Sequence, residues 1–454
     1  MDVDLFLVLI YLALVLAIGI MAGRGVRSLH HFSVAGRSYS SAVVFATLSA
    51  SFIGGGFTMG NAEKVFTWGI ANIFALWGFS LKEILVATLI APRMDIFSQA
   101  ISVGDIMEQA YGRTAKLVSG CFAVLLCAGI VGAQVGATGY IFKLFLGIPH
   151  SWGIFFGFGI VVLYATIGGM KAVVLTDLLQ FVILAVGIPL TLILGFSKAG
   201  GLEAIQAAVP AGHLSFLGSK TPLAFISLFL TFLLGETLVP PYVQRLLIGR
   251  SARETSRGTL LSGLFSIPFF AVTGGIGLVA LTLKPELDPN MALPYVIQQA
   301  LPLGLKGIVV AGIIAVVMSS ADSFLNGAAV AFSNDVVGPL RRRPMSERQA
   351  LILAKCTTLL VGVLAIFFAI KIESILDLLI YAYHFWAPVI VIPLAAALLG
   401  VKARARVFLS GCGAGLAGVA LWNYLLNAPG GVDGLIVGVL TNTVVFAVAY
   451  KWDK

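Results

Sequence analysis

The stretch Ser51-Phe52-Ile53-Gly54-Gly55-Gly56-Phe57-Thr58-Met59-Gly60 sets three consecutive glycines near the middle of an apolar run. Five apolar runs later the chain reads Gly235-Glu236-Thr237-Leu238-Val239-Pro240-Pro241-Tyr242. The proline pair there removes two backbone donors and obstructs the preceding turn. Taken singly, glycines in a membrane helix mark close packing and prolines mark kinks. Their correspondence carries more. Unwound backbone is tolerated at membrane depth only where its freed carbonyls and amides face a cavity or an ion. Interrupted helices at matching positions of two halves point to a transporter's midplane site.

The rest of the chain fits a membrane setting. Of 454 residues, 59% are hydrophobic and only 11% are charged, and the mean hydropathy is +1.02. A soluble globular protein carries about 25% charged residues, so this chain cannot cover itself with polar groups in water. At about 20 apolar residues per span, runs at roughly 5–24, 41–60, 70–92, 115–142, 151–168, 172–197, 222–246, 257–283, 305–335, 349–370, 374–400, 405–426 and 433–450 give about 13 spans. The reading is an all-α polytopic membrane protein. Residues 1–40 form an extra span and an inner loop, 41–200 a first five-helix repeat, 201–400 a second repeat of inverted topology, and 401–454 two further spans. No length remains for a kinase, a nuclease or a receptor ectodomain.

The formal charge of +9 matters through its placement. With the N-terminus outside, about 20 basic residues fall in inner loops, Arg24, Lys171, Arg245 and Arg341 to Arg343 among them. About 7 fall outside: Lys64, Lys143, Lys198, Lys220, Lys284, Lys306 and Lys371. This asymmetry predicts an outer N-terminus and a cytoplasmic C-terminus, and it makes the basic loops topology signals rather than nucleic-acid sites. The first run follows Asp2 and Asp4 with no basic residue, unlike a secretory signal. The four cysteines lie in apolar runs without a CxxC pair, so neither a disulfide framework nor a zinc site is implied.

Span nine carries Ser319, Asp322, Ser323 and Asn326 at i, i+3, i+4 and i+7, one polar stripe inside the bilayer. A lone serine there bonds back to its own helix. A carboxylate near the membrane centre costs at least about 2.5 kcal/mol, so Asp322 requires a cation, a proton or a donor. Asp177 in span six is a second intramembrane acid, with Lys171 as a local partner. Adjacent Lys82 and Glu83 point to different faces and need not pair. Glu236 adds a carboxylate at the second interruption.

Four motifs together resemble the sodium/solute symporter family over nearly the whole chain. They are Gly36-Arg37-Ser38, the Ile167 to Gln180 stretch, Val243-Gln244-Arg245, and Met318 to Ser323. The resemblance implies the inverted-repeat fold shared with the leucine transporter and sodium as coupling ion. It places a conserved sodium site at Ala50, Ile53, Val316, Ser319 and Ser320, using carbonyls and two hydroxyls. A second cation or proton site in some members corresponds to Asp177, Ser319, Asp322 and Ser323, where Asp322 replaces a serine.

Within the family, Phe52 to Phe66 and Met318 to Ser323 are closest to the choline-transporter branch, whose aromatic box corresponds to Phe52, Phe79 and Val239. Because Val239 is not aromatic, the box is incomplete. Substrate contacts are expected from Phe52, Gly54, Gly55, Gly56, Trp77, Phe79, Ser80, Val239, Tyr242 and His384. Glycine-freed amides suit a carboxylate and the rings suit the remainder of a zwitterion. The expectation is a sodium-coupled importer of a small amino-acid-like solute such as proline, in a bacterial inner membrane. Choline, another quaternary amine or a monocarboxylate is the alternative. A sugar is disfavoured because the chamber reads as short of Asn, Gln and Glu. An intramembrane enzyme is the remote competitor, since the chain has neither HExxH nor GxSxG and four of its five histidines lie in loops or at span ends.

Overall fold

The computed structural model describes residues 3–218, 220–371 and 382–454. Among the described residues the chain is nearly all helix, and an isolated parallel bridge joins Tyr39 to Gly249. Nine described helices are long and apolar enough to cross a bilayer, and the bent pair Ser41–Phe52 and Phe57–Trp68 makes a tenth. Pro222–Leu234 and Ala382–Leu398 are shorter apolar helices.

The thirteen apolar runs do not map onto thirteen uniform helices, for local reasons. Runs five and six merge in His150–Lys198, where Gly169 leaves helical geometry at φ +54° and ψ −152°. Only glycine adopts that conformation without strain, and a Cβ there would stand 2.8 Å from the Phe32 carbonyl oxygen. Run seven divides into Pro222–Leu234 and Pro240–Ile248. The start of run eleven, 374–381, lies outside the described residues.

Leu305–Val330 is the central helix. Its apolar window is 94% buried, against 33% for the peripheral Val3–Gly23, so polar residues on it face protein rather than lipid. Asp4 accepts hydrogen bonds from Gly304 N and Gly307 N, each at 2.8 Å. A carboxylate at that position complements the helix N-terminus, and it fixes the N-terminal end of the first helix beside the start of the central one. Helix starts elsewhere follow the same chemistry. Thr221 accepts from Ala224 N ahead of Pro222, and Ser251 accepts from Glu254 N.

Candidate functional site

At the first interruption the helix ends at Phe52, and a second helix starts at Gly55 after a bend of 48°. The Ile53 carbonyl accepts Thr58 Oγ1 at 2.6 Å, and the Gly54 carbonyl accepts Thr58 N at 2.9 Å. At the second, Leu238 holds a left-handed φ of +55°, a strained conformation for a branched residue of the kind that clusters at functional sites. Pro240 and Pro241 open the following helix rather than kinking one, because a first-turn proline gives up a donor that has no helical partner anyway. The Thr237 carbonyl accepts Trp386 Nε1 at 3.1 Å.

The polar stripe meets the first break. Ser320 Oγ donates to the Ser51 carbonyl at 2.8 Å. A Cβ on Gly54 would lie 2.3 Å from Ser320 Oγ, 3.1 Å from Ser51 O and 3.5 Å from Val316 O. Three neutral oxygens therefore converge on one glycine, a donor set of the type hard cations take. Ser319 turns to Asp177, donating at 2.5 Å, and is hydrogen-bonded to Ser51 Oγ at 2.9 Å. Ala50 and Ile53 are fully buried at the end of the first half-helix.

Arg245 changes the reading of the acids. Counted from sequence as an inner-loop charge, it is fully buried. Its Nη2 donates to Asp177 Oδ2 at 2.9 Å, Ser51 Oγ at 2.5 Å and Ser323 Oγ at 2.6 Å. Nε donates to Thr47 Oγ1 at 3.1 Å and Nη1 to the Pro241 carbonyl at 3.2 Å. Asp177 also accepts from Thr47 Oγ1 and from Ser51 Oγ at 3.2 Å, while Lys171 is exposed. The sequence signal was the apolar company of Arg245, which sits between Tyr242-Val243 and Leu246-Leu247-Ile248 inside the half-helix. Asp322 lies beyond this pair. It accepts Tyr164 OH at 2.5 Å and Ser323 Oγ at 3.1 Å. Asn326 donates to the Phe32 carbonyl at 3.1 Å and accepts Gln244 Nε2 at 3.2 Å, a packing role.

A cavity of about 430 Å³ runs between the two breaks. Ser51, Phe52, Gly54, Phe57, Ser320 and Phe324 line it, as do the less buried Trp68, Lys64 and Lys220. Of the expected substrate residues, Phe52 and Gly54 line it. Others stand behind the wall: Trp77 Nε1 donates to the Ile267 carbonyl at 3.3 Å, Ser80 is hydrogen-bonded to Ser266 at 2.6 Å, and Phe79 and Val239 are fully buried. Tyr242 donates to Glu83 Oε2 at 3.1 Å. His384 pairs with Asp433 at 2.7 Å, and Asp433 reaches the cavity. Gly55 and Gly56 form the first turn of the second half-helix, whose leading amides lack helical acceptors.

Two expectations are corrected. Lys82 and Glu83 do pair, at 2.6 Å, because both are buried and a lysine stem is long enough to reach its chain neighbour, which leaves neither charge unpaired. The chamber is also not short of polar groups: Asn61, Asn72, Gln134 and Glu236 line it. Asn61, Asn72 and Gln134 escape a sequence reading because they come from separate helices that only the fold brings together, beside the Glu236 already marked at the second interruption. Asn61 is largely committed to the protein, donating to the Phe270 carbonyl and to Thr273 Oγ1 at 2.7 Å each and accepting from Asn72 at 2.9 Å. Glu236 accepts a hydrogen bond from Tyr383 OH.

Comparison with known proteins follows the geometry. A model of the sodium:solute symporter family matches residues 32–415. The high-affinity choline transporter 1 of Drosophila melanogaster is 28% identical over 399 residues, covering 82% of this chain and 62% of the fly protein. The osmoregulated proline transporter OpuE of Bacillus subtilis (strain 168) is 24% identical over 400 residues, covering 82% of this chain and 79% of its own. Among solved structures, a substrate-bound, outward-open Na+-coupled sialic acid symporter superposes with a TM-score of 0.86 at 20% identity, over 100% of this chain and 98% of that one. The family match extends over both interruptions and the cavity between them. With a match of that extent, the chain belongs to the sodium:solute symporter family.

Proposed function

We propose that this protein is a sodium-coupled secondary transporter that imports a small, amino-acid-like zwitterion. The observation that carries the reading is the double duty of Ser320 and Gly54. They line the cavity, and they hold the oxygen cluster with Val316 and Ser51 that suits a sodium ion. A cation at that cluster would share a wall with the solute, so each would alter the other's binding free energy. Ala50, Ile53, Val316, Ser319 and Ser320 are the proposed ligands, with the Ser51 carbonyl beside them.

The solute assignment rests on complementary ends. The leading amides of the Gly55 helix favour a carboxylate, Glu236 at the second break favours an ammonium, and Phe52, Phe57, Phe232 and Phe324 favour an apolar remainder. Lys64 and Lys220, which the charge asymmetry of the sequence assigns to the outer side, line the cavity, so we infer that the cavity faces outward and that the N-terminus lies outside a bacterial inner membrane.

The test is uptake of labelled amino acids, betaines, choline and sugars into proteoliposomes. An inward sodium gradient should drive an amino-acid-like solute above its equilibrium level, and collapsing the gradient should abolish accumulation. Equal uptake without sodium would overturn the reading.

A further inference from the structure

Among the described residues, Glu63, Lys64, Lys220, Glu236 and Asp433 are the charged side chains lining the cavity. Glu63 pairs with Lys64 at 2.7 Å, Asp433 with His384 at 2.7 Å, and Glu236 accepts from Tyr383 OH. The Lys220 ammonium has no acid within ion-pair distance and no hydrogen-bond acceptor among the described residues. It rests on the Trp68 ring, with Nζ 3.4 Å from the centroid, and the Lys64 Nζ lies 4.8 Å from the same centroid. Burial, and after it the Lys64 charge, lowers the Lys220 pKa from the ordinary lysine value. An ammonium has three donors, and a ring face gives none of them an oxygen.

The loop that carries Lys220 is fixed to the end of the half-helix that carries Trp68. The His213 carbonyl accepts Ile70 N at 2.8 Å, and His213 Nε2 lies 3.1 Å from the Phe66 carbonyl oxygen. Gly218 turns at φ +59°, where a Cβ would stand 2.5 Å from the Trp68 carbonyl oxygen. Phe216 packs between Phe74 and Phe225, with ring centroids at 4.8 and 5.0 Å. Trp68 ends the 14-residue half-helix whose first turn holds Gly55 and Gly56. At a rise of about 1.5 Å per residue its two ends stand roughly 20 Å apart, so a small carboxylate cannot touch both at once.

We propose that Lys220, held against Trp68, is a second carboxylate-binding site, at which the acid group of an arriving solute docks before it passes to the Gly55 amides. Lys64 adds positive charge but is engaged by Glu63, so Lys220 is the donor. A quaternary amine meets the same ammonium as a like charge, and the site therefore favours amino acids and carboxylates over choline. The order of docking rests on the symporter reading, whereas carboxylate binding is testable without transport.

The experiment titrates the purified protein with potassium propionate in sodium-free buffer while tryptophan emission is recorded, and Trp68→Phe identifies the share that comes from Trp68. Propionate should change the Trp68 emission saturably, because a carboxylate draws the ammonium from the ring. Propionamide, which lacks the charge, and potassium chloride at equal ionic strength should not. Lys220→Gln should weaken propionate binding by about tenfold or more, Lys220→Arg should retain it, and Lys64→Gln should change it less. If Lys220→Gln does not fold, the wild-type comparison of propionate with propionamide and chloride decides. A response shared by propionamide or chloride, the absence of any Trp68 response, or a folded Lys220→Gln that binds propionate as wild type does would overturn the proposal. Propionate binding without sodium-driven uptake would overturn the transport function and leave this site standing. Uptake without propionate binding would do the reverse.

Discussion

Arg245 Nη2 lies 2.9 Å from Asp177 Oδ2, and neither side chain is exposed. The pair ties the half-helix after the second break to the long Gly159–Lys198 helix, and Thr47, Ser51 and Ser323 fill the space around it. Removing one partner of such a pair costs about 3–5 kcal/mol, because the other charge is left buried. Arg245→Gln and Asp177→Asn should each lower the denaturation midpoint of the purified protein severely. The double variant should lose less than the two losses added together. Strict additivity would mean that the two side chains are not energetically coupled.

Gly54→Ala should abolish transport while Gly60→Ala is tolerated. A Cβ at Gly54 would meet Ser320 Oγ at 2.3 Å and backbone oxygen at 3.1 Å, whereas at Gly60 it meets nothing within 4 Å. The comparison separates loss of glycine flexibility from loss of the space beside Ser320. Sodium-driven uptake by the two variants, at matched expression, reads the difference. Equal activity would remove Gly54 from the ion cluster.

Ser320→Ala with Ser319→Ala should raise the sodium concentration for half-maximal uptake by about tenfold or more, equivalent to ~1.4 kcal/mol per decade. Both hydroxyls are buried, and Ser319 also donates to Asp177. Ser320→Ala alone is therefore the cleaner probe of the ion. An unchanged sodium dependence in the double variant would refute the site.

Asp322 has Tyr164 and Ser323 as hydrogen-bond donors, while the guanidinium is engaged with Asp177. If a second cation or a proton couples to transport, Asp322 is the acid left to hold it, and Asp322→Asn should then lower the Hill slope for sodium or shift the reversal potential. If both are unaltered, Asp322 is a structural partner of Tyr164.

Glu236→Gln should weaken a zwitterionic solute selectively. A hydrogen bond to a charged group contributes about 1.5–3 kcal/mol, so the half-saturating concentration should rise roughly ten- to hundredfold. Inhibition of uptake by simple carboxylates, which have no ammonium to lose, should change little. A uniform effect on both classes would assign Glu236 to packing with Tyr383.

The sequence alone determined the membrane setting, the all-helical class and the two interruptions, because each depends on composition, run length and the backbone limits of Gly and Pro. It also showed the stripe from Ser319 to Asn326, since helical spacing is a one-dimensional property. Tertiary structure decided who pairs with whom. Arg245 reads as a loop charge until its half-helix folds inward onto Asp177, and Lys82 reads as facing away from Glu83 until burial makes the neighbouring carboxylate its nearest stabilising group. Asn61, Gln134 and Glu236 share one cavity although they are scattered along the chain. Local periodicity fixes which face of a helix is polar. Which distant face it meets depends on how the helices pack, because electrostatic and packing energies fall off with distance in space, not with separation along the chain.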